Sequence, residues 1–342
     1  MRPGGLVRSS ATVGTAVVVT CALALSGCSG KQGDSGDTLQ VVANPVAATA
    51  PASPPPAAAP AGTVIGTPGE VSAVAADPAT GVLAVAVPDA VLLYRTGDLS
   101  AAPLRVPVAG RAEQLRVSGG VLLASLPAAG QVARIALPTG QVSTLAVAGQ
   151  PAGAVVDGDR TLVAVRDRKA VDVFTGDRLT RSIQGQLYSA DDVLQAGGNT
   201  VVLDELRTAV FSVDVDGGTM AEGLRAGDGA THAVADSFGR VLVVDTRTGA
   251  LLAFSTGPLL LRQRYPVPGG AYGLAYDPQR ALAWVTLTGR NEVVGFDVRG
   301  GEPVEKYRFP TVRQPNSVTV EERSGRVFVG SAAGEGVQVI QP

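Results

Sequence analysis

The feature that most restricts this chain is a repeat. From Thr63 onward a short apolar run, a turn rich in Gly, Asp or Pro and a second apolar run recur, followed by a polar loop, a third run and a fourth. The first runs start near Val74, Leu115, Ala154, Val193, Ala233, Leu274 and Val318, at spacings of 41, 39, 39, 40, 41 and 44 residues. Two copies match closely, Val74-Ala75-Ala76-Asp77-Pro78 and Leu274-Ala275-Tyr276-Asp277-Pro278. No stretch carries the long 3.6-residue periodicity of an amphipathic helix, whereas short β-rich runs at even spacing point to an all-β architecture. A period near 40 with four strands per unit predicts a β-propeller, and seven units predict seven blades over residues 63–342.

The ends of the repeat fit a closed ring. The seventh unit stops at Pro342 after its third strand, and Thr63-Val64-Ile65-Gly66 reads as a fourth strand without a blade of its own. Placing that segment on the last blade completes it and removes two open sheet edges. A two-domain sandwich is the alternative, but it leaves the displaced strand unexplained. The hydrophobic content of 45% against 17% charged residues supplies enough apolar surface for such a body.

The first 62 residues have another character. Arg2 and Arg8 precede an uncharged, largely apolar stretch from Ala11 to Leu25, which has the length of a signal-peptide core and is short for a membrane span. It ends in Leu25-Ser26-Gly27-Cys28, which resembles the lipobox of bacterial lipoproteins. The resemblance implies a signal peptide over residues 1–27, cleavage before Cys28 and lipidation (palmitate) of its thiol. Residues 28–62, with Pro51-Ala52-Ser53-Pro54-Pro55-Pro56, hold few large apolar side chains and are expected to form a disordered, extended tether. Cys21 falls inside the leader, so the mature chain keeps no second thiol for a disulfide.

Asp277-Pro278, Ala283-Trp284-Val285-Thr286 and Pro315-Asn316-Ser317-Val318 are similar to the YVTN-type repeats of YncE-like seven-bladed propellers of bacterial envelopes. The leader, the scarcity of Lys (3 of 28 basic residues) and the Ala/Pro tether resemble cell-envelope lipoproteins of actinobacteria. Together these resemblances imply a scaffold held by its lipid on the outer face of the cell membrane. They name no common reaction, because fold alone does not specify function.

Function must then come from a site. In a propeller the loops before the first strands and between second and third strands meet at one mouth. Glu113, Asp191, His232, Tyr272, Asn316 and Arg313 are therefore expected to line that opening, with Gln114 and Asp192 next to them and Arg111, like Arg313, preceding a first strand. Arg166, Arg168, Lys169, Arg207, Arg247 and Arg290 lie in the loops between second and third strands, mixed with Asp89, Asp167, Glu205, Glu292 and Glu335. Arginine forks favour carboxylate or phosphate, so an anionic or hydroxyl-rich ligand is expected. His232 is the default general base as the only histidine, and Glu113, Asp191 and Asn316 are the residue types that hold Ca²⁺ in propeller lactonases.

A net charge of −2 gives no reason to expect nucleic acid. One His and two Cys exclude His-cluster metal sites and zinc ribbons, and a single Trp speaks against quinoprotein dehydrogenases. No Gly-x-Ser-x-Gly elbow or phosphate-binding glycine loop is found. The expected function is a non-enzymatic binding platform for an envelope protein or glycan, monomeric and without a cofactor. The alternatives are a metal-dependent lactonase-like hydrolase with its site at the mouth, or an accessory solute-binding protein.

Overall fold

A computed structural model describes residues 44–342. The leader, Cys28 and the linker up to residue 43 lie outside the described residues. Seven four-stranded antiparallel sheets form the body. In six of them the strands run consecutively from the innermost outward, and in the seventh the chain's two ends meet. The innermost strands are Ala73–Asp77, Gln114–Ser118, Pro151–Asp157, Asp192–Ala196, Ala230–Ala235, Ala271–Asp277 and Pro315–Glu321, opening blades 1 to 7 in that order. Each contains the position expected from the repeat. Thr63–Ile65 pairs antiparallel with Val337–Ile340, with Thr63 opposite Val339 and Ile65 opposite Val337. The ring is therefore closed by the N-terminal strand, as the displaced fourth strand predicts.

The burial pattern explains why these runs become strands of different character. The second strand of a blade is covered on both faces by neighbouring blades, so Val82–Val87 is buried at every position. An outermost strand faces water, and Arg178–Gln184 buries only Ile183. Small aliphatic side chains fill the walls, as Ala84, Ala86, Leu122, Ala124 and Ile135 do between blades 1 and 2. Blade 6 departs from this rule. Trp284, only 1% exposed, stacks on Tyr307 and Phe309 at ring separations of 5.6 and 6.4 Å. Gly295 faces the indole, where a Cβ would fall 2.9 Å from the ring.

The closely matched Asp-Pro pairs lie at hairpin turns. The Asp77 carboxylate accepts the backbone N–H groups of Ala79 and Thr80, and Asp277 accepts those of Gln279 and Arg280. Each side chain thus takes over turn donors that the sheet leaves unpaired.

The structure differs from the expected free tether over residues 44–62. This segment lies as a strap on the loops of blades 5 to 7. Gln314 donates to the Pro51 carbonyl at 3.0 Å and accepts from the Ser53 N–H at 3.0 Å. Ser53 Oγ donates to the Thr288 carbonyl, Asn291 donates to the Pro54 carbonyl and Arg247 donates to the Val46 carbonyl. Buried Gln338 donates to the carbonyls of Ala61 and Pro310 and accepts the Val312 N–H. The physical reason lies in the backbone. An extended proline-rich chain makes no internal hydrogen bonds, so its carbonyls remain available to side chains. Small side chains let it approach closely: Ala48 is buried, and at Gly270 (φ +80°) a Cβ would fall 3.2 Å from Pro51.

Candidate functional site

The innermost strands enclose a cavity of about 590 Å³ that runs along the ring axis. Its mouth is built by one repeated device. The residue just before an innermost strand extends the first hairpin by one further bond. Ser72 donates its N–H to the Ala86 carbonyl, Glu113 to that of Ser125 and Asp191 to that of Leu203, at 2.9–3.0 Å. Equivalent positions therefore arrive at equivalent places around the axis. Glu113, Asp191, His232, Tyr272 and Asn316 all line the cavity. Arg313 does not: it is exposed and its N–H donates to Glu335, so it stands outside the cavity.

The arginines of the mouth are already engaged. Arg166 donates through Nε to Asp191 at 2.8 Å and through Nη2 to Glu113 at 3.0 Å. Arg116 crosses from blade 2 to blade 4, where it grips both Asp192 oxygens at 2.8 and 3.0 Å and the Val193 carbonyl at 2.5 Å. Gly153 of the intervening blade makes room, since a Cβ there would lie 2.4 Å from Asp192 and 3.0 Å from Gln114. Arg111 is paired outward with Glu70 at 2.9 Å. The expectation of arginine forks awaiting an anion is thereby corrected: carboxylates of the mouth occupy Arg116 and Arg166, and Arg111 is turned outward to Glu70. The same geometry bears on the proposed Ca²⁺ ligands. Glu113 and Asp191 do converge, but on the Arg166 guanidinium. Among the described residues no group of three His, Cys, Asp or Glu side chains could hold a metal ion.

The cavity is acidic. Glu113, Asp191, Asp192, Glu205 and Glu322 line it, against Arg111, Arg116 and Arg166. Glu205 differs from Glu113, Asp191 and Asp192, and resembles Glu322, in lacking a partner for its carboxyl. Among the described residues its carboxyl accepts no hydrogen bond and lies within ion-pair distance of no cation. Burial, and after it the Asp191 charge, push its pKa well above the ordinary carboxylate value, with Arg166 opposing. Behind it, the Ser189 hydroxyl bridges Asp191 (2.5 Å) and Asp204 (2.9 Å), and burial raises Asp204 as well.

Across the cavity His232 meets Tyr272 edge-to-face, with ring centroids 4.6 Å apart. His232 Nδ1 is buried without a hydrogen-bond partner, and burial lowers its pKa to about 4. The imidazole is therefore neutral at pH 7 and a poor proton acceptor. Burial, then Glu205 and Glu113, push the Tyr272 hydroxyl up to about 12. The Asn316 Oδ1 accepts from Gln314, which also holds the strap, so mouth and strap share one side chain. The sequence does not point to Arg116, and it places Glu205 only among the many polar residues of the loops between second and third strands. Arg116 lies inside a strand, 76 residues from its partner, and the unpaired state of Glu205 is a property of its three-dimensional surroundings.

No protein-family model matches the sequence, and no curated protein matches it. Among solved structures, hydrazine synthase of Kuenenia stuttgartiensis is 19% identical with a TM-score of 0.67, covering 82% of this chain and 98% of that one. A streptogramin B lyase is 11% identical with a TM-score of 0.68, covering 81% and 95%. The WD40 propeller of Doa1 is 14% identical with a TM-score of 0.66, covering 85% and 97%. At these identities the likeness shows the β-propeller fold alone.

Proposed function

We propose that this protein is a binding module of the cell envelope, anchored through a lipid on Cys28 at the outer face of the membrane, whose propeller presents the channel mouth to a ligand or partner. One observation carries this reading: side chains from separate blades converge on a cavity of about 590 Å³, within the range of small-molecule sites. The polar groups of that cavity serve mostly to hold each other in place. Arg166 is fixed by two acids, Arg116 by a carboxylate and a carbonyl, and the His232 ring is held neutral. That is the character of a preformed recess. A general base needs a pKa near the working pH.

The fold neighbours include a lyase, and the lactonase-like alternative draws on Glu113, Asp191 and Asn316 sharing one cavity. A cation there would have to displace Arg166 from both acids. Binding is therefore favoured over metal-assisted hydrolysis.

The test follows the melting temperature of the full-length protein against amines, sugar acids, lactones and phosphates. A ligand at a hundred times its Kd stabilises the fold by about 2.7 kcal/mol. A shift that Asn316→Leu abolishes supports the mouth as the site, and a shift that survives this change overturns it. For the anchor, Cys28→Ala should move the protein from the membrane fraction to the soluble one. Unchanged membrane retention would refute lipid attachment at Cys28.

A further inference from the structure

Resting on that reading of the mouth, we propose that its ligand is a small organic cation, bearing an alkylammonium or alkylguanidinium group seated between the Glu205 carboxyl and the Tyr272 ring. Four observations converge. The three arginines of the cavity are each held by an acid, which leaves no free fork for an anion. Glu205 lines the same cavity with, among the described residues, no hydrogen bond to its carboxyl and no ion pair. Glu205 is half-buried, and a partly desolvated carboxyl left unpaired by the fold is stabilised by a ligand that supplies N–H donors and positive charge. Tyr272, set by its edge-to-face contact with His232, offers an aromatic wall, and a cation over such a ring gains electrostatic attraction. Asn316, oriented by Gln314 on its Oδ1, adds an amide at the rim.

An inorganic ion fits less well, because Glu113 and Asp191 face a guanidinium already in place. The Arg166 contact itself shows the chemistry: two acids of this mouth satisfy one guanidinium.

Binding would be coupled to a proton. The groups that face Glu205 are Asp191 and Asp192 of its own blade, Arg166 of blade 3, Glu113 of blade 2 and Tyr272 of blade 6. Burial, and after it the Asp191 charge, raises the Glu205 pKa in the empty site. An arriving cation offsets both and lowers it again, so ion-pair formation is accompanied by net release of protons to solvent. Affinity then rises with pH.

The experiment is isothermal titration of the full-length protein with agmatine, which carries both cationic groups, and with butyrate and glucose as anionic and neutral probes. Agmatine should bind, and more tightly at pH 8 than at pH 5, with net proton release on binding. Glu205→Gln keeps the side-chain shape and should weaken binding at least tenfold and remove the pH dependence. Tyr272→Leu should weaken it about five- to thirtyfold. Agmatine binding at wild-type strength in Glu205→Gln would overturn the proposal. Butyrate or glucose binding that Tyr272→Leu abolishes, with agmatine silent, would overturn the cation but keep the mouth as the site. Silence of all three probes, with both variants folded by melting temperature, would count against the cation and the recess together.

Discussion

The walls between blades and the mouth they surround are held by opposite means. In the walls, Ala, Val and Leu from neighbouring blades interlock, as Leu242, Val244, Ala283 and Val285 do between blades 5 and 6. Such contacts are non-directional and lose stability roughly in proportion to the area removed. In the mouth, buried charges hold one another across the axis, and each is stable only while its partner remains. The walls therefore tolerate gradual change, whereas a single deletion in the mouth leaves a charge stranded.

The comparison is tested first where the wall is least typical. Trp284→Ala removes a stacked, fully buried indole and should cost about 3–5 kcal/mol in chemical denaturation. An unchanged midpoint would show that blade 6 does not depend on its aromatic layer. Arg116→Met is the corresponding break in the mouth. It strands the nearly buried Asp192 and should cost about 3 kcal/mol, most of it recovered in Arg116→Met/Asp192→Leu. If the double variant is no better than the single, the two groups are not a coupled pair.

Acid should separate the regions further. The unfolded chain protonates His232 near its ordinary value of 6.5, and the folded chain only near 4. Between these values the unfolded state binds more protons, so the His232 contribution to stability, about 3 kcal/mol, is lost as pH falls from about 6.5 to 4, against the opposite sign of raised carboxyls such as Glu205. His232→Gln should flatten that stretch of the melting-temperature profile, while wall variants should leave its shape intact. The smallest effect belongs to the outer rim. Arg105→Ala breaks an exposed pair with Asp89 and should cost less than about 1 kcal/mol, with no more in low salt than screening allows. A larger loss would mean that rim charges share in the mouth's coupling.

The walls were legible because their contacts recur with the repeat: the same place in every unit of about forty residues meets the same place in the next. That rhythm located all seven innermost strands and the closing strand Thr63–Ile65. It also brought Glu113, Asp191, Tyr272 and Asn316, which share a position in the repeat, and His232, one residue further on, to one cavity. It could not show which charges neutralise one another, because that depends on reach across the axis, as from Arg116 to Asp192. Arg313 shows the limit from the other side. It precedes a strand as its equivalents do, yet its N–H is taken by Glu335 and it stays at the surface. The strap escaped notice because side-chain composition says nothing of how many backbone carbonyls a neighbouring loop can capture.

That strap has a mechanical consequence. The ring's seam is blade 7, where only the three residues Thr63–Ile65 join the N-terminal end of the chain to the sheet. A pull on the chain ahead of residue 44 does not fall on this seam at once. It must first detach Val46 from Arg247, then Pro51 and Ser53 from Gln314, then Pro54 from Asn291, and last Ala61 from Gln338. These fastenings yield in sequence, so the strap works as a strain relief, spending a tug in small steps before it can open the ring.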